Sequence, residues 1–370
     1  MRFRNFKFRL TTRALTFALA AVWVCAPARA QQPQQRPITN EELVRLVRQL
    51  PTRPSLREEL IAEIKRRGIN FPLTNGLRSL VATKSGNDSD LRRALEEADR
   101  RRLNPESVRP RPSEEEAAQI LERARESTLA AGKAMPDFVV KQLVVRSVAQ
   151  GTTKNWSVQD RLTLAVSYRE SAGEQYRVLA VNGIPAADGS KESGSYHNQV
   201  GGTTSTGEYV GMLAEVFSEK SRAEFQVSDA ETLRNRPSVV YDFRIRKENS
   251  ASTITYDNRL SIIVGVRGRV WVDRETFRVL RLETASTDIP ADFPVRASGS
   301  VVDYDWVDIS GRQYLLPVRA VVEGTQAQDG RTLQRRNDIR FRGYQKYGTE
   351  IKIIEEDIVE DEPAEEVRKP

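Results

Sequence analysis

The sequence has 370 residues, with 58 Lys and Arg against 51 Asp and Glu, one histidine and one cysteine. This composition excludes a disulfide scaffold and a site built from several thiolates or histidines. The excess of positive charge comes from residues 1–30, which hold six basic and no acidic residues. The rest of the chain, with 58 less six, or 52, basic residues against 51 acidic ones, is nearly neutral, so we expect no nucleic-acid partner.

The first thirty residues have the three parts of a secretory signal peptide. Basic residues precede an apolar run from Ala14 to Cys25, and small residues flank Arg29 before a cleavage site after Ala30. The run of about twelve residues is shorter than the roughly twenty that span a bilayer. We therefore expect a periplasmic or secreted bacterial protein without a transmembrane segment. The alternative, lipid attachment at Cys25, is disfavoured because Val24 stands where a small residue is needed.

Capping boxes mark the starts of short helices after the signal peptide. Thr39 with Glu42, and Ser55 with Glu58, have the Ser/Thr-x-x-Glu spacing in which hydroxyl and carboxylate satisfy free backbone N–H groups. A third helix is predicted from about residue 91 to 102. The segments NEELVRLVRQL and LREELIAEIKRRGINFPLT resemble a helical module that recurs in secreted bacterial proteins, and this resemblance implies no activity.

From Asp137 the apolar residues change from helical spacing to a period of two. Strands with one polar face and short connections form antiparallel sheets, because parallel strands need crossover helices and are buried on both faces. The predicted fold is therefore α+β. It combines a large, curved, unclosed half-barrel of about ten antiparallel strands, a helix packed in its concave face, and a small N-terminal all-α module.

These patterns divide the chain into six parts. They are a signal peptide at 1–30, a linker at 31–37, a small helical module at 38–104, a linker and connecting helix at 105–136, the β half-barrel at 137–352, and an acidic tail at 353–370 that is predicted to be disordered.

The stretch GGTTSTGEYVGML, residues 201–213, has the glycines of a phosphate-binding loop but not its chemistry. Gly202 and Gly207 have the required spacing, yet Glu208 stands where a lysine must reach the phosphates. Ser205 with Glu208 is another capping box, so we predict the start of a helix. A lesser alternative is that residues 188–206 form a lid over an apolar cavity.

Two groups could support hydrolase chemistry. His197 would need a nucleophile and an orienting group, for which only nearby serines are available in the sequence. Asp303 and Asp305 point to one face of a strand, as a glycosidase pair would. We expect His197 to be a solvated loop residue and the two aspartates to lie on the wet face of the sheet.

The block GRVWVDRETFRVLRLE, residues 268–283, is followed by DIPADFP and VDYDWVDISGRQYLLPVRA. Together they resemble a family of secreted bacterial proteins whose β domain is similar to the LolA/LolB-like lipoprotein carriers. The resemblance covers about residues 137–352 and implies a half-barrel whose concavity, in those carriers, holds acyl chains. The carriers lack the helical module and the acidic tail, so no ligand-contact residue is carried over.

We therefore expect an exported, non-enzymatic binding module with a lipid or lipoprotein as its partner, and no catalytic residue, metal or cofactor. The alternative is a structural or regulatory protein that binds another envelope protein, and a hydrolase is the third hypothesis. The residues expected to line the concave binding face are Tyr241, Phe243, Tyr304, Trp306, Tyr314 and Leu316.

Overall fold

The computed structural model describes residues 36–86, 88–105, 111–151, 154–186, 193, 195–200, 204, 209, 211–257, 259–328 and 330–348. The predicted signal peptide, the acidic tail and eight of the thirteen residues of the glycine-rich stretch 201–213 lie outside these residues, and with them the predicted capping box at 205–208. No helix among the described residues combines the length and the apolar character needed to cross a bilayer.

The region predicted as a helical module contains four helices: α1 (Asn40–Gln49), α2 (Leu56–Arg67), α3 (Asn75–Ser85) and α4 (Ser89–Leu103). The hydroxyl of Thr39 accepts a hydrogen bond from the N–H of Glu42 at 3.2 Å, so the first predicted capping box forms. Ser55 makes no such bond, and its prediction as a capping residue is wrong. Apolar side chains of the four helices pack into a core of their own, which includes Leu43, Val47, Leu60, Val81, Leu91 and Leu95.

The predicted antiparallel sheet is confirmed and contains eleven strands within the described residues. Its spatial order is β4-β3-β2-β1-β13-β12-β11-β10-β9-β6-β5, and the end strands β4 and β5 do not pair, so the half-barrel is unclosed. The strands are β1 (Phe138–Gln150), β2 (Ser157–Arg169), β3 (Gly173–Val181), β4 (Ile184–Pro185), β5 (Glu224–Leu233), β6 (Arg236–Ile245), β9 (Gly265–Asp273), β10 (Val279–Thr287), β11 (Val295–Ile309), β12 (Arg312–Gln328) and β13 (Arg331–Lys346).

One predicted strand run lies outside this sheet. The alternating residues from Ile254 to Val264 form mainly β7 (Thr253–Tyr256) and β8 (Leu260–Ile263), which pair only with each other. This hairpin sits between β6 and β9, which are neighbours in the large sheet. Periodicity alone could not reveal this, because an isolated hairpin alternates in the same way as a sheet strand.

Helices cover the concave face of the sheet, as the predicted fold requires. Helix α5 (Glu114–Lys133) is joined to it by the hydroxyl of Tyr241, which donates to the carbonyl of Ala117 at 2.7 Å. The shorter α6 (His197–Val200) and α7 (Gly211–Phe217) complete this layer. The core beneath them is apolar and includes Val140, Leu164, Val178, Val270, Leu282, Val302 and Ile339.

The opposite, convex face of the sheet carries charged residues at the alternate positions. Arg281 on β10 donates two hydrogen bonds to Asp303 on β11, at 2.7 and 3.0 Å. Arg319 on β12 bonds Asp338 on β13 at 2.7 Å. Because successive strand residues point to opposite faces, each strand contributes apolar side chains to one layer and ionic side chains to the other.

The helical module is joined to this convex face by buried ions. Arg269 on β9 is only 2% exposed, and it bonds both Glu97 of α4 and Asp242 of β6. Arg101, also on α4, bonds Glu97 and Asp229 of β5. Burial by itself raises the pKa of the Glu97 carboxyl, but the charges of Arg269 and Arg101 outweigh it and hold this pKa at about 2. Glu97 is therefore a carboxylate at neutral pH.

We predict that Glu97→Gln weakens the attachment of the module. The substitution keeps the shape of the side chain but removes its charge, which leaves the buried Arg269 with Asp242 as its remaining carboxylate. Breaking a buried ion pair costs about 3–5 kcal/mol. We expect the free energy of unfolding to fall by about this amount, measured by urea denaturation followed by circular dichroism.

Glu96→Gln is the matched control. Glu96 is the adjacent residue on α4, and it pairs with Arg78 at 2.9 Å with both side chains about one-third exposed. Loss of a pair in contact with solvent costs about 0–1 kcal/mol. An equal loss of stability in the two variants would contradict docking through Glu97.

Candidate functional site

Four of the six residues predicted to line the concave face are buried in its core. Tyr241 and Phe243 lie on β6, Tyr304 on β11 and Leu316 on β12, and each is less than 5% exposed. Burial raises the pKa of the Tyr241 hydroxyl, which is consistent with its hydrogen bond to the backbone of α5. These side chains lie beneath the covering helices and contribute to the packed core of the domain.

The other two predicted residues lie nearer the edge of this face. Tyr314 is partly buried and packs against the core, whereas Trp306 is 39% exposed. The pairing of β11 with β12 shifts by one residue between Asp303 and Tyr304. Such an irregularity re-aims side chains, and beyond it Val307, rather than Trp306, packs against the core. The prediction that Trp306 lies on the same concave face as Tyr304, which assumed strict alternation, is therefore wrong.

A polar residue that the sequence analysis missed lies in the apolar layer of the concave face. Gln142 on β1 sits between Val140 and Val144, which both belong to the apolar core. Its paired residues on the neighbouring strands are Leu164 of β2 and Phe341 of β13, which are core residues too. Its exposed fraction is 0%. The sequence signal is a glutamine at an inward position of the run FVVKQLVVRSV, in which the buried Arg146 has the same parity but is paired with Asp160.

Among the described residues, neither the amide nitrogen nor the amide oxygen of Gln142 has a hydrogen-bond partner. Buried polar side chains are nearly always satisfied in folded proteins. Leaving one without a partner costs about 1–3 kcal/mol. The arrangement therefore provides a donor and an acceptor inside an apolar layer, which is the combination found in pockets that orient a mainly apolar ligand.

The ring of Tyr209 packs close to this site. Its centroid lies 5.2 Å from that of Phe341, the residue opposite Gln142, and 5.5 Å from that of Phe138 on β1. Tyr209 is almost completely buried and precedes α7 in the chain. Tyr209 thus occupies part of the concave face with a side chain that comes from outside the sheet.

The residues considered for hydrolysis do not form a catalytic arrangement in the described part of the chain. His197 begins α6, and its backbone N–H donates to the hydroxyl of Ser195 at 3.3 Å. Asp303 is held by Arg281, and the carboxylate of Asp305 accepts a hydrogen bond from the N–H of Trp306. Within the described residues, no three His, Cys, Asp or Glu side chains lie close enough to hold a metal ion.

No protein-family model and no curated protein matches the chain. Among solved structures, a DUF1329 family protein from Desulfovibrio piger is 11% identical with a TM-score of 0.31, over 62% of this chain and 95% of that chain. A LolA-like domain of an outer membrane lipoprotein-sorting protein from Vibrio parahaemolyticus is 15% identical with a TM-score of 0.30, over 64% and 95%.

The MucA/MucB complex of Pseudomonas aeruginosa contains a chain that is 8% identical with a TM-score of 0.18, over 60% of this chain and 94% of that chain. At TM-scores this low, these likenesses say nothing about what this protein binds. Its architecture is established by its own strand pairing, and its function has to be argued from its own residues.

We predict that Gln142→Leu does not destabilise the ligand-free protein. Leucine has a similar size and removes two unsatisfied polar atoms, so the free energy of unfolding is expected to rise by about 1–2 kcal/mol. Thermal and urea denaturation measure the change. Gln226→Leu, at an exposed position of β5, is the control and should change stability by less than about 0.5 kcal/mol. A clear loss of stability in Gln142→Leu would show that its amide is satisfied.

Proposed function

We propose that this protein is an exported, non-enzymatic binding module of the bacterial cell envelope, which holds an acyl ligand in the concave face of its sheet. The observation that carries this proposal is the buried, unpartnered amide of Gln142 in an apolar layer. The predicted signal peptide supports export, and it places the protein in a compartment that contains lipids and lipoproteins.

The chemistry of Gln142 indicates the class of ligand. Its amide group offers two N–H donors and a carbonyl acceptor, so it can donate to the carbonyl of an ester and both donate to and accept from an amide. The residues around it, including Leu164 and Phe341, offer only apolar contact. A hydrocarbon chain that carries an ester or amide group matches both features, because it satisfies the amide and buries apolar surface.

The space for the hydrocarbon chain would come from Tyr209. Its ring is tilted against the ring of Phe138 and meets the ring of Phe341, the residue paired with Gln142, edge to face. In this proposal the ligand and the Tyr209 ring compete for the same part of the concave face. The four deeply buried residues Tyr241, Phe243, Tyr304 and Leu316 would form the far wall, and Tyr314 and Trp306 would lie towards its edge.

A second candidate function is that of an envelope protein that binds another protein. The observation that favours it is the β7–β8 hairpin, which lies outside the large sheet and exposes half of Leu260 and half of Ile263. Exposed apolar side chains that project from a domain often mark an interaction site. If this alternative holds, a photo-crosslinking residue placed at position 260 captures a protein partner in living cells.

The acyl-binding proposal predicts that the Gln142→Leu protein binds an acyl probe more weakly than the unchanged protein. Titration with the methyl ester of the fluorescent fatty acid cis-parinaric acid measures the affinity of the delipidated protein. Loss of the hydrogen bond to the ester carbonyl should weaken binding at least tenfold, which corresponds to about 1.4 kcal/mol.

Gln226→Leu is again the control and should bind as the unchanged protein does. Tyr209→Ala should bind the probe more tightly, because the competing ring is absent. If Gln142→Leu weakens binding of the probe but does not lower stability, Gln142 contacts the ligand. A structural role for Gln142 would instead lower the stability of the variant. Equal affinity in the Gln142→Leu protein and the unchanged protein would contradict the proposed site.

A further inference from the structure

A cavity lies between the helical module and the convex face of the sheet. Its volume is about 590 Å³, which is in the range of small-molecule sites. Helices α3 and α4 form one wall, and the residues around Lys154 and Trp156 form the other. The floor is the outer surface of β10, β11 and β12, where small residues such as Ala285, Ala297 and Gly299 leave room above the strands.

Most of the charged residues that line this cleft already have partners. Arg78 bonds Glu96 at 2.9 Å, and Lys154 bonds Glu323 at 3.2 Å. The guanidinium of Arg100 lies 3.9 Å from the carboxylate of Glu283. Charges that are neutralised in this way form the walls of the cleft but offer little attraction to a ligand.

Arg93 on α4 is different. It lines the cleft and also a neighbouring cavity of about 300 Å³ that is bounded by Asp242 and Arg269. It makes no hydrogen bond or ion pair with any residue that the structure describes. Burial and the nearby charge of Arg269 lower its pKa, although Glu283, Asp242 and Asp90 act in the opposite direction. Arg93 is therefore a partly buried cation whose charge is incompletely balanced.

We propose that this cleft binds a small organic anion, whose carboxylate or phosphate group pairs with Arg93 and whose uncharged body lies on the floor of small residues. Arginine suits this role because its planar guanidinium bonds carboxylate and phosphate groups in a two-point geometry. An anion bound at Arg93 would supply a negative charge next to the guanidinium. Its attraction would offset the free-energy cost of burying this cation.

The apolar side chains that line the cleft favour an anion with a flat organic body over an inorganic ion. Trp156 is one of them and also lies beneath the guanidinium of Arg336, 5.9 Å from the ring centroid. Leu103 at the end of α4 lines it as well and is 59% exposed. A planar group placed between these two side chains and the strand surface would bury apolar area that an inorganic ion lacks.

This site is independent of the proposed acyl site, because the two lie on opposite faces of the sheet. It requires the module and the sheet together, since Arg93 comes from α4 and the floor comes from β10 to β12. Its residues span positions 78 to 334. No local pattern in the sequence could have brought them together.

The test is isothermal titration calorimetry of the full chain with phenyl phosphate, inorganic phosphate and the uncharged phenol. We expect phenyl phosphate to bind at least tenfold more tightly than inorganic phosphate, and phenol to give no binding. Arg93→Gln should weaken phenyl phosphate binding at least tenfold. The control Arg53→Gln, at an exposed position between α1 and α2, should leave it unchanged.

Ala297→Phe provides a second variant that leaves Arg93 in place and fills the floor of the cleft. It too should weaken phenyl phosphate binding at least tenfold, and circular dichroism verifies that both variants are folded. The proposal is overturned if phenyl phosphate does not bind, or if Arg93→Gln and Ala297→Phe both bind it as the unchanged protein does. Equal affinities for inorganic phosphate and phenyl phosphate would overturn the assignment to an organic anion.

Discussion

Successive residues of a β-strand point to opposite faces of its sheet, and this constraint organises the whole protein. On β9, Val270 and Val272 enter the apolar core of the concave face, while Arg269 between Gly268 and Val270 points to the helical module. The two faces of one sheet therefore carry different layers, an apolar core with its covering helices on the concave face and the ion-paired helical module on the convex face. Any residue that breaks the pattern of its face, such as Gln142 among valines, is conspicuous for this reason.

The two layers are held by different forces. On the concave face α5 and α7 bury apolar surface, which is a non-directional interaction that tolerates some change in shape. On the convex face the module is attached through Arg269, Glu97 and Arg101, whose ion pairs depend on geometry. Buried ion pairs add little net stability, but loss of one partner is costly. The concave layer is thus better suited to admit a ligand, and the convex layer to fix the position of the module.

The sequence predicted those parts of the fold that depend on local periodicity. The alternation after Asp137 predicted the antiparallel sheet. The connecting helix predicted within residues 105–136 is α5, and the hydroxyl of Ser113 caps its start by accepting from the N–H of Glu116. Helix α3 was not singled out, although Leu77, Leu80 and Val81 have helical spacing, and Ser55 has capping spacing without capping geometry. Trp306 departs from the predicted face because the pairing shifts by one residue beside Pro317, and a proline inside a central strand is the one sign of such an irregularity in the sequence.

The candidate sites were harder to predict than the fold. Arg269 and Glu97 are 172 residues apart, and nothing near either residue indicates the other. Gln142 could have been noticed from the sequence, since it interrupts an alternation of inward apolar residues. Its lack of a partner became visible only when the residues on both neighbouring strands and the covering Tyr209 were in place.

The central claim is that the concave face holds an acyl ligand, and native mass spectrometry of the protein isolated from a bacterial periplasm tests it most directly. Organic extraction of the same sample identifies any bound molecule. We expect a bound mass that is released by the solvent and contains an acyl chain with an ester or amide group. A protein that carries no extractable lipid, and takes none up when mixed with a total lipid extract of the same cells, would contradict the account.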